Sequence, residues 1–148
     1  MSARSFLDSN VLVYTDDAGA PEKQGQALDL VERCRTGRSG VVSTQVLQEY
    51  FVTATKKLRV SADIVKRKTE LFGRFELVRI GLEDILAAAD LHRIHQLSFW
   101  DALIVQAALR SGCSVLFSED LQTGRRIEGL EVVNPFKDFQ WTPLSGRG

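Results

Sequence analysis

Phe99-Trp100-Asp101-Ala102-Leu103-Ile104-Val105-Gln106-Ala107-Ala108-Leu109-Arg110-Ser111, closely followed by Ser114-Val115-Leu116-Phe117, sets the architecture. The first run is nearly all apolar and too long for an ordinary strand, so it reads as a deeply packed helix. The second is short, apolar and β-branched in part, so it reads as a buried strand. Working backwards, Glu83 to His95 is a second strong helix and Phe75 to Ile80 a strand. Thr44 to Lys57 places Leu47, Tyr50, Phe51, Ala54 and Leu58 on one helical face, directly after a strand at Gly40-Val41-Val42-Ser43. Ser61 is an N-cap for a helix to about Phe72. Gln24 to Arg35 is helical, Asn10 to Tyr14 is a short helix, and Ser5-Phe6-Leu7 is the first strand. Leu130-Glu131-Val132-Val133 is the last strand, and Pro21 falls in a turn. Short apolar strands separated by helices imply a parallel sheet covered on both faces. The functional crevice of such a sheet lies beyond the carboxyl ends of its strands.

The chain has 148 residues, 44% of them hydrophobic and 26% charged, which fits one globular domain over residues 1–148. Nineteen basic residues balance nineteen acidic ones, so any grip on nucleic acid must be local. Cys34 and Cys113 form neither a disulfide framework nor a metal pair and read as buried thiols of a reducing compartment. No signal peptide or membrane-length apolar run is visible, and a soluble, cytoplasmic protein is expected.

Four carboxylates stand out, each with two readings. Asp8 follows the first strand and is either the cap of the next helix or a strand-end functional acid. Asp120 follows Ser114–Phe117 closely and is either a turn residue or a second strand-end acid. Asp101 completes a capping box with Ser98, yet it also lies on an apolar helix face, where a carboxylate is costly without a partner. Glu49 sits just off the apolar face of its helix, as a solvated residue or as one reaching toward the strand ends. Acids gathered in one crevice repel one another and need a cation or raised pKa values. Oxygen donors without a Cys/His cluster suit Mg²⁺ or Mn²⁺. Such an ion activates water and neutralises charge on a phosphodiester.

These motifs resemble those of PIN-domain proteins. Phe6-Leu7-Asp8-Ser9-Asn10-Val11-Leu12-Val13-Tyr14 is similar to the family's opening, and Ser43-Thr44-Gln45-Val46-Leu47-Gln48-Glu49 to its second motif. Ser98-Phe99-Trp100-Asp101-Ala102-Leu103-Ile104-Val105-Gln106-Ala107-Ala108 is similar to the third, and Leu116-Phe117-Ser118-Glu119-Asp120-Leu121 to the last. The resemblance implies a three-layer α/β/α sandwich with a central, mostly parallel sheet. It further implies a metal-dependent endoribonuclease most like VapC toxins, cleaving RNA, forming a homodimer and held in check by an antitoxin. By motif position Asp8, Asp101 and Asp120 are implied as Mg²⁺ or Mn²⁺ ligands, Glu49 as a ligand or base, and Asn10 and Ser118 as hydrogen-bonding support.

Lys56, Lys57, Arg59, Lys66, Arg67 and Lys68 form a basic stretch, read either as a phosphate grip or as a solvated face. Arg125 and Arg126 follow the Asp120 loop and are candidates for RNA contact. His92 and His95 read as surface residues, Trp100 as core, Asp16 and Asp17 as turn residues, and Trp141 as packing on the sheet or on a partner. The competing function is a non-catalytic RNA- or protein-binding module on the same fold. An aspartyl phosphatase is disfavoured because Asp8-Ser9-Asn10 lacks a second aspartate. Nucleotide-binding glycine motifs are absent from the sequence.

Overall fold

The computed structural model describes residues 3–137. Trp141 lies outside them. The chain runs β1 (Ser5–Leu7), α1 (Ser9–Tyr14), α2 (Pro21–Gly37), β2 (Gly40–Ser43), α3 (Thr44–Lys56), α4 (Ala62–Phe72), β3 (Glu76–Val78), α5 (Leu82–His95), α6 (Phe99–Arg110), β4 (Val115–Phe117), β5 (Arg126–Ile127) and β6 (Leu130–Val133).

The strands form one sheet in the order β3-β2-β1-β4-β6-β5. All neighbours are parallel except the β5–β6 pair. Val41 and Val42 of β2 point to opposite faces of the pleat, and both are buried, so helices cover the sheet on both sides. The expected α/β/α layering is thus borne out. From β1 the chain first builds outward through β2 and β3, then returns to the other side of β1 at β4. The gap between the β1 and β4 carboxyl ends is therefore the topological switch point of the sheet.

Register fixes what meets there. Leu7 pairs with Phe117, and Phe117 with Val133, so β1, β4 and β6 end level with one another. The Asp8 amide then donates to the Phe117 carbonyl at 3.0 Å, and the Ser118 amide to the Val133 carbonyl at 3.0 Å. Phe6, Leu7, Val11, Leu12, Val46, Tyr50, Ile104 and Leu116 fill the core beneath. Gly40 lets this packing close, since a Cβ there would stand 2.8 Å from the Phe75 ring.

Several sequence expectations need correction. Pro21 is the first helical residue of α2, not a turn residue. Proline is well placed at that position because its missing N–H would have no helical partner. Polar Pro21-Glu22-Lys23 carries no apolar period, so it concealed the helix start. The two-residue strand β5 was too short to show any alternation. Its turn, Glu128-Gly129, has positive φ at both residues (50° and 90°), the geometry that suits a two-residue hairpin. Trp100 is 64% exposed rather than core, leaning edge-on against Phe99. Asp16 is more than a turn residue. It accepts from the Tyr50 hydroxyl at 2.7 Å and pairs with Lys68, tying the α1–α2 turn to α3 and α4. Among the described residues no helix is long and apolar enough to cross a membrane.

Candidate functional site

Asp8 is the N-cap of α1: its Oδ1 accepts from the Ser9 amide at 2.7 Å. The capping and functional readings of this residue are therefore compatible. Its Oδ2 accepts from the Ser118 hydroxyl at 2.7 Å, across the switch point. Only 5% of Asp8 is exposed. Burial, reinforced by the nearby charges of Glu49 and Asp120, pushes its carboxyl up to about 6 despite the Ser118 and Ser9 hydrogen bonds.

Ser118 is fully buried and works as a hub. Besides donating to Asp8, its oxygen accepts from the Asp120 amide (3.2 Å), the Leu121 amide (3.4 Å) and Asn10 Nδ2 (3.4 Å). Asn10 closes the loop from the other side. Its Nδ2 donates to Asp120 Oδ2 at 3.1 Å, and its Oδ1 accepts from the Glu119 amide at 3.2 Å. A serine two before the acid and an asparagine two after Asp8 are thus the clamp that holds residues 118–121 against α1.

Glu49 reaches the same cluster from α3. Ser43 ends β2 and caps α3 in one step, its hydroxyl accepting from the Val46 amide at 3.2 Å. No loop intervenes, so the first turns of α3 stand directly over the strand ends. Glu49 Oε1 accepts from the Ser9 hydroxyl at 3.0 Å, and Oε2 from Gln45 Nε2 at 3.1 Å. Gln45 also donates to the Trp100 carbonyl at 3.2 Å, which joins Glu49 to the first turn of α6, where Asp101 stands. Its own Oε1 is a buried acceptor with no partner among the described residues.

The structure therefore brings Asp8, Glu49, Asp120, Asn10 and Ser118 into one hydrogen-bonded cluster. Asp101 adjoins it only through Gln45 and the Trp100 carbonyl. The Ser98 half of the capping box forms, with the Asp101 amide donating to Ser98 Oγ at 3.1 Å. Among the described residues, no three Asp, Glu, His or Cys side chains are placed to hold one ion together. The expected trio of Asp8, Asp101 and Asp120 is not such a group; Asp8 accepts from Ser9 and Ser118, and Asp120 from Asn10.

Other candidates sit elsewhere. Arg125 donates to the His95 carbonyl, and Arg126 pairs with Glu131 at 3.5 Å. Through Glu131, Arg126 is level with Val115 at the start of β4, not with the strand ends that carry Asp8 and Asp120. Within the basic stretch, Lys68 turns inward to Asp16 and Arg67 pairs with Glu70 at 2.5 Å. His92 bonds the Leu97 carbonyl and His95 bonds Glu128. Burial pushes the Cys34 thiol up to about 11, which leaves it unreactive.

Sequence reasoning missed Ser9 and Gln45. The i, i+4 spacing of Gln45 and Glu49 was a legible sign that the two share a helix face. It also missed Asp84, a buried acid at the start of α5. Asp84 is satisfied by the Gly81 amide, Gln106 and Arg110, so it is structural.

A model of the PIN domain family matches residues 5–127. The chain belongs to the PIN domain family. No curated protein matches it. Among solved structures, this PIN domain resembles that of the Mycobacterium tuberculosis VapC20, a sarcin-ricin loop cleaving toxin. That likeness has a TM-score of 0.62 at 18% identity, over 78% of this chain and 91% of that one. It also resembles a toxin–antitoxin complex from Klebsiella pneumoniae (TM-score 0.67, 19% identity, 88% and 97% covered). A third likeness is to DNA-bound VapBC from Salmonella typhimurium (TM-score 0.60, 21% identity, 88% and 97% covered). At these identities the likeness is one of fold.

The donor set of this PIN domain fits a hard divalent cation. Its acids offer only oxygen, the buried Asp8 lies within the field of two further carboxylates, and Gln45 adds an unpartnered buried carbonyl. Mg²⁺ commonly takes one or two carboxylates and completes its shell with water, so a closed three-acid cage is not required.

Proposed function

We propose that this protein is a divalent-metal-dependent endoribonuclease and the toxin of a toxin–antitoxin pair. The observation that carries the proposal is the level ending of β1 and β4. It sets Asp8 against Ser118 and brings Asp120 to the same switch point, which Glu49 reaches from α3.

One or two of Asp8, Asp120 and Asp101 would hold Mg²⁺ or Mn²⁺ with water completing its shell, and Glu49 would serve as a further ligand or as base. The bound ion supplies positive charge for the phosphodiester and lowers the pKa of a coordinated water. Glu49 is kept in place by Ser9 and Gln45 and would take the proton of the attacking water at Oε1 or Oε2. Ser118 and Asn10 fix the carboxylates in their rotamers. The toxin reading draws on the VapC and VapBC structures that share the fold. A homodimer is part of the proposal. Leu82, Ile85 and Leu86 form an exposed apolar stripe along α5, of the kind that marks an interface.

Purified protein on single-stranded and folded RNAs in Mg²⁺, Mn²⁺ or EDTA tests the chemistry. Cleavage should require the metal and fall by at least about 100-fold in Asp8→Asn and in Asp101→Asn, each a loss of about 2.7 kcal/mol or more in barrier lowering. Undiminished cleavage in both variants refutes it. RNA retained without cleavage in either metal would favour the non-catalytic module.

A further inference from the structure

Beside the acid cluster lies a recess of about 220 Å³ that shares Ser9, Asn10 and Asp120 with it. Its apolar wall is made by Val13, Tyr14 and Leu58. Lys57, which caps the end of α3, is its one lining cation among the described residues. Within the basic stretch Lys68 and Arg67 are committed to Asp16 and Glu70. Lys57 is not paired among the described residues, and it is the member of the stretch that lines the recess. On the far side, Glu119 is neutralised. Burial opposes its ionisation, but Lys23 and the Tyr14 hydroxyl hold its carboxyl below the usual glutamate value. With Glu119 balanced by Lys23, the acids that remain opposite Lys57 are Asp17, which accepts from the Gly19 amide at 3.1 Å, and Asp120.

Its volume is below the roughly 300 Å³ at which drug-sized pockets begin, which suits a single ring system rather than a folded element. A cation at one rim, an apolar wall and acids that pass into the cleavage site match a nucleotide, with phosphate at the cation and base at the wall. Resting on the ribonuclease reading, we propose that the recess is the subsite for one nucleotide of single-stranded RNA adjoining the scissile phosphate. Lys57 grips that nucleotide's phosphate, and Val13, Tyr14 and Leu58 flank its base.

The test is binding of a short fluorescent single-stranded oligoribonucleotide, with hydrolysis blocked by EDTA or by Asp101→Asn. Lys57→Ala should weaken binding several-fold and reduce the slope of log K against log salt by about 0.7, the loss of one phosphate contact on a single strand. Lys57→Arg should restore both. Lys57 is exposed, so melting temperatures of the variants should match the parent. In cleavage by the parent protein, an abasic residue at one position beside the cut should slow the reaction, whereas abasic residues further away should not. Unchanged affinity and salt slope in Lys57→Ala, from a parent that does cleave RNA, would remove the subsite and leave the ribonuclease reading standing. A parent that neither binds nor cleaves RNA would end both.

Discussion

Asp8 sits where an ionised carboxylate is poorly solvated, and its neighbours Glu49 and Asp120 add to the cost. An unfolded aspartate ionises near 3.8, whereas this one ionises near 6 in the fold. Between those values the folded chain holds a proton that the unfolded chain has lost. Metal-free stability should therefore fall as pH rises through this window, by roughly 2–3 kcal/mol, and stay low above it. Asp8→Asn removes the charge but keeps a residue that caps helices well. Chemical denaturation in EDTA at pH 7 should find this variant more stable than the parent, with a flatter profile between pH 4 and 6. A variant no more stable than the parent would show that Asp8 carries no such cost.

The loop of residues 118–121 has a different vulnerability. It depends on one hydroxyl that satisfies Asp8 and the amides of Asp120 and Leu121 together. Ser118→Ala leaves these groups unpaired in a buried place, at a cost of about 1–3 kcal/mol. Thermal melting should show a drop of several degrees, and an unchanged melting temperature would mean that the hub is dispensable. The sequence made most of these elements legible. Ala102–Val105 and Val115–Phe117 have the length and apolarity that separate a packed helix from a buried strand. Asp8 and Asp120 were legible because both follow such strands. The resemblance marked Ser118 as hydrogen-bonding support, but its partners were not legible, because they arise from register, and register joins residues 110 positions apart. The same holds for Arg125 and Arg126. Closeness to Asp120 along the chain suggested closeness in space, but the hairpin carries Arg126 back toward the start of β4.

Across the molecule, several large apolar groups stand exposed, and three of them share one helix. Leu82, Ile85 and Leu86 recur at helical spacing on α5 and are 70%, 42% and 59% exposed. A stripe of this kind favours association with a second surface. Light scattering should give a dimer mass for the parent and a monomer mass for Leu86→Glu, with folding intact because the side chain is already in solvent. A parent that is monomeric at high concentration would refute the α5 dimer.

The direct passage from β2 into α3 ties two ends of one rod to different tasks. Gln45 and Glu49 ride on its first turns and Lys57 on its last. Lys57 lies eight positions after Glu49, about 12 Å along the axis at 1.5 Å per residue. An extra residue inserted between them would swing the lysine by about 100° while leaving the glutamate anchored to the sheet. A change of length here should therefore disturb the site more than an exchange of an exposed side chain, since α3 sets the distance from the glutamate to the lysine.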